Sequence, residues 1–255
     1  MIKRIRQTFL LALFACAALS CHPQKKAAEW VVPDSYLPQA IAPEAIVRHH
    51  AITLEYSEPD EQARWVAYML CRSRLDGRFH RNKTPGCFFH PDSTIATGSA
   101  TPDDYRHSGY SRGHLVPAAD MKWDSLAQVE TFLFSNISPQ REDFNSGVWN
   151  RLESKVRQWA KQYDTIIVVT GPLLTGSAEQ VIGPNKVTVP TAFFKAIYIP
   201  NLHQAIGFLI PHHETKEPLT NFMLSIDELE ERIKIDLFSG MADETAIEHT
   251  LPRNL

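Results

Sequence analysis

An arginine, a glycine and a histidine stand together at Arg112-Gly113-His114, Asn136 follows, and Asn145 and Glu153 lie eight residues apart further on. Imidazole, with an ordinary pKa of about 6.5, is a competent proton acceptor near neutral pH. His114 is therefore the candidate general base. Arg112 offers a planar guanidinium fork that suits phosphate oxygens, and Gly113 removes a Cβ where backbone and substrate could approach closely. Hydrolysis of a phosphodiester needs a base for water, a cation for the charge growing on phosphorus, and something to stabilise the departing oxygen. His114, Arg112 and a metal ion at Asn145 can supply all three. One amide oxygen can suffice for Mg²⁺, which dehydrates reluctantly and keeps most of its waters; Mn²⁺ is the alternative ion. On a straight helix Asn145 and Glu153 would be about 12 Å apart along the axis and turned by about 80°. Glu153 then reaches the ion only through a bound water, its side chain leaning toward the helix N-terminus.

These residues need elements to hold them. Ile52, Leu54 and Tyr56 alternate with polar neighbours, and Arg64 to Cys71 is rich in strand formers, so a hairpin is expected across Glu58-Pro59-Asp60. Leu152, Val156, Trp159 and Tyr163 recur at helical spacing, and Thr165 to Thr170 reads as a buried strand stopped by Gly171-Pro172. Phe193 to Ile199 and Ala205 to Ile210 flank Pro200-Asn201 as a second hairpin, and Ser225-Ile226-Asp227-Glu228 has capping-box spacing ahead of a closing helix. Strands and helices mix without a regular βαβ alternation, which favours an α+β arrangement over a doubly wound parallel sheet.

The segment Asp104 to Met121, containing Ser111-Arg112-Gly113-His114, is followed by Asn136-Ile137-Ser138-Pro139-Gln140 and by Asn145-Ser146-Gly147-Val148-Trp149-Asn150-Arg151-Leu152-Glu153. Together with Gly171-Pro172, Val189-Pro190 and Phe194-Lys195, and more faintly Asp236-Leu237-Phe238, these blocks resemble the DNA/RNA non-specific endonuclease family, which includes secreted sugar-non-specific bacterial nucleases and mitochondrial endonuclease G. The likeness covers about Arg48 to Phe238. It implies a ββα-metal (His-Me finger) fold of mixed, mainly antiparallel sheet layers with flanking helices. It also implies metal-dependent, largely sequence-independent cleavage of DNA, RNA or both. By the same resemblance His114 is the base, Arg112 and Glu153 act with it, and Asn136 orients either the loop carrying His114 or the water shell of the metal. A further substrate-binding arginine is implied upstream, for which Arg81 is favoured. Ser111 departs from the family pattern, where many members carry Asp, and so removes one carboxylate near base and metal. Phe79 or Phe88 could stack on bases.

The 255 residues are 44% apolar and 22% charged, an ordinary globular composition with a formal charge of −3. A purely electrostatic polyanion binder is thereby excluded, although a local basic face is not. Arg64 to His114 carries eight Arg and Lys against four Asp, while Glu214 to Glu248 carries ten acids against three bases. Lys3, Arg4 and Arg6 precede an apolar run from Phe9 to Leu19, too short to span a membrane. Residues 1–20 therefore read as a signal peptide ending in Ala18-Leu19-Ser20-Cys21, which resembles a bacterial lipobox with Cys21 as the lipidated residue. Residues 21–43 read as a lipid-anchored tether and 44–255 as the domain. The protein is then an exported lipoprotein, held in the periplasm or at the outer membrane or cell surface, with ordinary secretion as the second reading. Cys71 and Cys87 either bridge or stand as separate thiols. His49-His50 and His212-His213 read as surface histidines, since adjacent strand residues face opposite ways. DNA or RNA is the expected partner, and a homodimer is left open. Two other functions stay open: a catalytically weak nucleic-acid-binding lipoprotein, and a phosphodiesterase acting on small nucleotides.

Overall fold

The computed structural model describes residues 31–174, 180–242 and 247. The signal segment and Cys21 lie outside the described residues. In chain order the strands are β1 (Ile46–Arg48), β2 (Ile52–Ser57), β3 (Gln62–Cys71), β4 (Ser111–His114), β5 (Ile137–Gln140), β6 (Thr165–Pro172), β7 (Val181–Ile182), β8 (Val187–Thr188), β9 (Ala192–Ile199), β10 (Gln204–Pro211) and β11 (Met223–Leu224). The helices are α1 (Pro102–Tyr105), α2 (Ser125–Glu130), α3 (Glu142–Phe144), α4 (Asn150–Tyr163) and α5 (Ile226–Ile233).

Seven strands form one sheet in the order β1-β2-β3-β6-β9-β10-β11, and each neighbouring pair is antiparallel. Both expected hairpins are present, with Leu54 opposite Val66 in one and Phe193 opposite Ile210 in the other. The strand expected to stop at Gly171-Pro172 instead runs through both, pairing Gly171 with Phe194 and Pro172 with Phe193. Glycine is required there because a Cβ would lie 2.3 Å from the Arg64 carbonyl oxygen.

The sheet separates two apolar cores. On one face Leu54, Val66, Tyr68, Val168, Ile197 and Phe208 pack with Leu152, Val156 and Trp159 of α4 and with Leu115, Val116 and Met121 of the segment after His114. On the other, Trp65, Ile167, Val169, Phe194 and Ala205 pack with Val32, Leu37, Ile226, Leu229, Leu237 and Phe238. Covered on both sides, β9 is buried throughout. The same layering buries Thr53 and Glu55, the polar neighbours in the alternating pattern of β2.

One expectation changes, and one open alternative is decided. Residues 31–42, read as part of a tether, lie on the second face. Val32 and Leu37 are buried, the Gln39 N–H donates to the Asp236 carbonyl at 2.8 Å, and the N–H groups of Ile41 and Ala42 donate to the Glu55 carboxylate. The folded unit therefore begins before residue 44. Cys71 and Cys87 are both free thiols: Cys71 ends β3 beside the Thr165 hydroxyl, and burial pushes the Cys87 thiol up, away from reactive thiolate character. The closing helix, by contrast, carries its expected cap. The Ser225 hydroxyl accepts from the Glu228 N–H, and the Glu228 carboxylate accepts from the Ser225 N–H.

Candidate active site

β4 and β5 form a separate antiparallel pair, with Ser111 opposite Gln140 and His114 opposite Ile137. Gly113 lets Gln140 lie across the strand, because a Cβ there would sit 2.1 Å from Cδ of Gln140 and displace that side chain. The chain then enters α3, a π-helical turn over Asn145–Trp149, and α4. Two strands and a helical segment thus surround His114 and Asn145. The straight helix expected through Asn145 and Glu153 does not form, because Gly147 leaves helical geometry at φ −94°, ψ −110°. The separation calculated for an unbroken helix therefore does not apply.

His114, Arg81, Arg112, Ser111, Glu142 and Asn145 line a cleft of about 590 Å³. The His114 ring meets Phe132 edge-on at 5.1 Å and Phe89 at 5.4 Å, and its Nε2 is buried with no hydrogen-bond partner among the described residues. Burial, assisted by the Arg81 charge, lowers its pKa to about 4. The imidazole is therefore neutral at neutral pH. Arg112 and Arg81 both lie against the Phe89 ring, at 4.5 and 5.1 Å. Aromatic contact fixes guanidinium groups that are otherwise exposed. Arg81, the arginine favoured upstream, lines the cleft. The aromatic residue beside it is Phe89; Phe88 is exposed outside the cleft and Phe79 lies under Arg78.

Asn136 is 1% exposed and spends its amide within the protein. Its Oδ1 accepts from the Val116 N–H at 2.9 Å, while Nδ2 donates to the carbonyls of Val116 and Thr131. These bonds tie it to the backbone two residues beyond His114. It does not line the cleft. Asn145 is half-buried at the cleft wall, its backbone N–H bonded to the Arg141 carbonyl at 2.9 Å, and no described residue hydrogen-bonds its side-chain amide.

Glu153 lies behind the cleft in a buried ionic set. Arg157 reaches Asp120 at 3.0 Å and Glu153 at 3.9 Å, Tyr68 donates to Asp120 at 2.9 Å, and Lys195 donates to the Thr170 hydroxyl at 3.1 Å while lying over Trp149. Burial pushes the Glu153 carboxyl up and the Lys195 ammonium down. This set ties α4 to the strand bearing Lys195 and to the Asp120 turn that follows His114.

Three contributors escape the sequence reading. Glu142 accepts a hydrogen bond from the Ser111 hydroxyl, so a carboxylate stands at the cleft position where Ser111 itself supplies none. Its signal was its place three residues before Asn145, one helical turn away. His212 is no surface histidine: its Nδ1 donates to the Pro190 carbonyl at 2.8 Å and its Nε2 accepts the Arg141 N–H at 2.8 Å. Burial lowers its pKa, which suits this neutral tautomer. His49 likewise is turned inward, onto Asp92 at 3.0 Å. His50 stacks on Trp123.

Among the described residues no group of three or more His, Cys, Asp or Glu converges as a metal site. The donor set at the cleft, an uncommitted amide at Asn145 with the Glu142 carboxylate beside it, suits a hard, largely hydrated cation rather than zinc.

An antiparallel α+β domain in which a strand pair and the next helical segment carry an imidazole and an asparagine to one arginine-lined cleft is a ββα-metal domain. The chain belongs to the DNA/RNA non-specific endonuclease family, whose model matches residues 37–244. It is 32% identical over 232 residues to the mitochondrial nuclease EXOG of Mus musculus, covering 84% of this chain and 62% of that protein. It is 35% identical to endonuclease G of Homo sapiens over 69% of this chain and 63% of that one, and 31% identical to a nuclease of Serratia marcescens over 78% and 77%. The chain thus spans less than two thirds of the EXOG and endonuclease G relatives. A solved EndoG/EndoGI complex superposes with a TM-score of 0.69 at 28% identity, covering 77% of this chain and 86% of that one.

Proposed function

We propose that this protein is a metal-dependent, largely sequence-independent endonuclease that hydrolyses DNA or RNA phosphodiesters to 5′-phosphate and 3′-hydroxyl ends. The observation that carries this reading is a neutral His114 imidazole lining the same cleft as two ring-held arginines. Arg112 and Arg81 bind the phosphate oxygens and draw negative charge to the cleft. His114 takes a proton from water as the water oxygen bonds to phosphorus and the bond to the 3′ oxygen breaks. The two phenyl rings keep the imidazole from its own hydrogen bonds, and Asn136 holds the strand end that aims it.

Asn145 would hold a Mg²⁺ or Mn²⁺ directly, with Glu153 acting through water; the bound ion supplies neutralising charge for the departing oxygen. A base near pKa 4 is a weak one in the free protein, but a bound phosphate beside it favours its protonated form and strengthens it during reaction.

Plasmid, RNA and mononucleotide esters should be incubated with the protein in Mg²⁺ and then in EDTA. Polymer cleavage that EDTA stops, and that His114→Ala abolishes, supports the proposal. Activity confined to mononucleotide esters, or unaltered in His114→Ala, sinks it. Products carrying 3′-phosphate would contradict the bond assignment. We also propose that Cys21 carries lipid: the protein should then fractionate with membranes and Cys21→Ala should release it, whereas fully soluble wild type would favour plain secretion.

A further inference from the structure

Glu142 is the one carboxylate among the described residues that line the His114 cleft, which it shares with three arginines, Arg81, Arg106 and Arg112. None of them makes an ion pair with it. Arg106 is held by Asp103 at 2.8 Å, while Arg81 and Arg112 lie against the Phe89 ring. Glu142 is exposed, and among the described residues its carboxylate has a single donor, the Ser111 hydroxyl. The neighbouring Asp143 is differently placed. Its carboxylate is engaged by Arg141 at 3.3 Å and by the Phe144 N–H at 2.8 Å, and it lies outside the cleft.

The backbone sets Glu142 and Asn145 side by side. Phe144 and Asn145 keep helical dihedrals, at φ −70°, ψ −51° and φ −60°, ψ −52°, and the Asn145 N–H bonds the Arg141 carbonyl at 2.9 Å. The break at Gly147 comes only afterwards. Residues 142 and 145 therefore stand one turn apart on one helical face, where side chains three apart are neighbours at about 5–6 Å between Cβ atoms. Ser146 closes the same turn, donating to the Glu142 carbonyl at 2.7 Å, and β4 fixes Ser111 by its pairing opposite Gln140.

An unpaired carboxylate in a cleft that receives phosphate repels its own substrate. A cation at that carboxylate reverses the sign of the effect, and hard divalent ions take carboxylate and amide oxygens together. The competing role is stabilisation of the start of α3 by an acidic residue. That role needs neither the Ser111 hydroxyl nor the Asn145 amide on the same face.

We propose that Glu142 is a further holder of the catalytic cation in this chain, its carboxylate acting with the Asn145 amide on a hydrated Mg²⁺ or Mn²⁺, and that Ser111 is the positioning residue that turns it there. The inference deepens the metal-dependent nuclease reading and rests on it for the identity of the ion.

Mn²⁺ titration of the full chain by calorimetry tests this without turnover. Glu142→Gln keeps its length and still accepts from Ser111, so its metal-free melting temperature should stay near wild type while Mn²⁺ affinity falls by about tenfold or more, as for a lost partner of a metal's water shell. Asp143→Asn removes an equal charge one residue away and should leave affinity nearly unchanged, because Arg141 already balances that charge. Ser111→Ala should weaken binding by about two- to tenfold, and Ser111→Thr, which restores a hydroxyl, should recover it. Without metal the sign inverts: in EDTA a duplex oligonucleotide should bind Glu142→Gln roughly two- to fivefold tighter than wild type, since a charge repelling phosphate has gone.

Equal Mn²⁺ affinity in Glu142→Gln and wild type overturns the assignment, and so does an equal loss in Asp143→Asn, which would reduce it to general charge. A fall in melting temperature with unchanged affinity would leave Glu142 as a helix start and nothing more. Plasmid cleavage is scored apart. EDTA-sensitive cleavage by a wild type whose Mn²⁺ affinity does not depend on Glu142 keeps the nuclease and removes this contact, whereas Glu142-dependent Mn²⁺ binding in a protein that cuts no plasmid keeps the cation site and removes the nuclease.

Discussion

His114 is kept neutral by its surroundings rather than by a hydrogen-bond partner. Two phenyl rings and the Arg81 charge hold its pKa down to about 4, whereas in the unfolded chain it returns to about 6.5. Between those values the unfolded state binds a proton that the folded state excludes. Stability is therefore lost as pH falls from about 6.5 toward 4. His114→Gln removes that titration, so its melting temperature should fall less than wild type over this window; calorimetry at half-unit steps reads it, and parallel curves would show that the imidazole is not desolvated. Asn145 and Glu153 should separate by phenotype. Asn145→Ala removes the one amide offered directly to an ion and should lose metal binding and most activity. Glu153→Gln keeps the shape of a carboxyl that burial already drives toward its neutral form, so it should retain metal affinity and lose about 10–100-fold in rate. Calorimetric titration with Mn²⁺ decides. Glu153→Gln failing to bind metal while Asn145→Ala binds normally would exchange their roles.

At the scale of elements, the two hairpins, α4 and α5 were readable because apolar periodicity and capping residues declare them locally. β4 and β5 were not. Each has four residues, and Ser111-Arg112-Gly113-His114 shows no apolar alternation; the pair exists because Gln140 lies over Gly113 and Asn136 binds the loop beyond. The Gly147 kink was likewise invisible, since a lone glycine inside a helical pattern is usually absorbed at a cost of about 1 kcal/mol. The crossing gives a test of element coupling. Gly113→Ala should lower melting temperature and activity together, and Gln140→Ala, which removes the side chain that a new Cβ would strike, should restore part of both. Additive losses in the double variant would mean that the two residues do not meet. His212 works at this scale too. Its Nε2 pins Arg141 at the start of α3, and its ring meets Phe144 and Phe193 edge-on at 5.1 Å. His212→Phe should keep the ring packing and lose about 1 kcal/mol of stability at most, yet weaken metal affinity by freeing the turn that carries Asn145. Unaltered Mn²⁺ titration in that variant would exclude the positioning role.

Across the whole molecule, the residues that meet in the cleft, Arg112, His114 and Asn145, were legible because their types are unusual and closely spaced, whereas what covers the far side of the sheet was not. Four prolines and the absence of periodicity made residues 22–43 read as a tether, but Val32 and Leu37 find their partners at Ile226, Leu237 and Phe238, two hundred residues away in sequence. Contacts of that separation leave no local pattern. Their consequence is separable from catalysis, because this segment packs on the face of the sheet opposite α4 and the cleft. Leu37→Ala should cost about 2 kcal/mol, the low end for a buried leucine. A chain starting at residue 44 should lose more, since it also strips the backbone donors of Ile41 and Ala42 from the buried Glu55 carboxylate, leaving it with Trp65 and Arg64. Urea unfolding should rank wild type above Leu37→Ala above the shortened chain, while kcat measured well below every melting transition should be the same for all three. A shortened chain as stable as wild type would return these residues to the role of tether, and a lowered kcat in a still-folded Leu37→Ala would show that the two faces of the sheet are coupled.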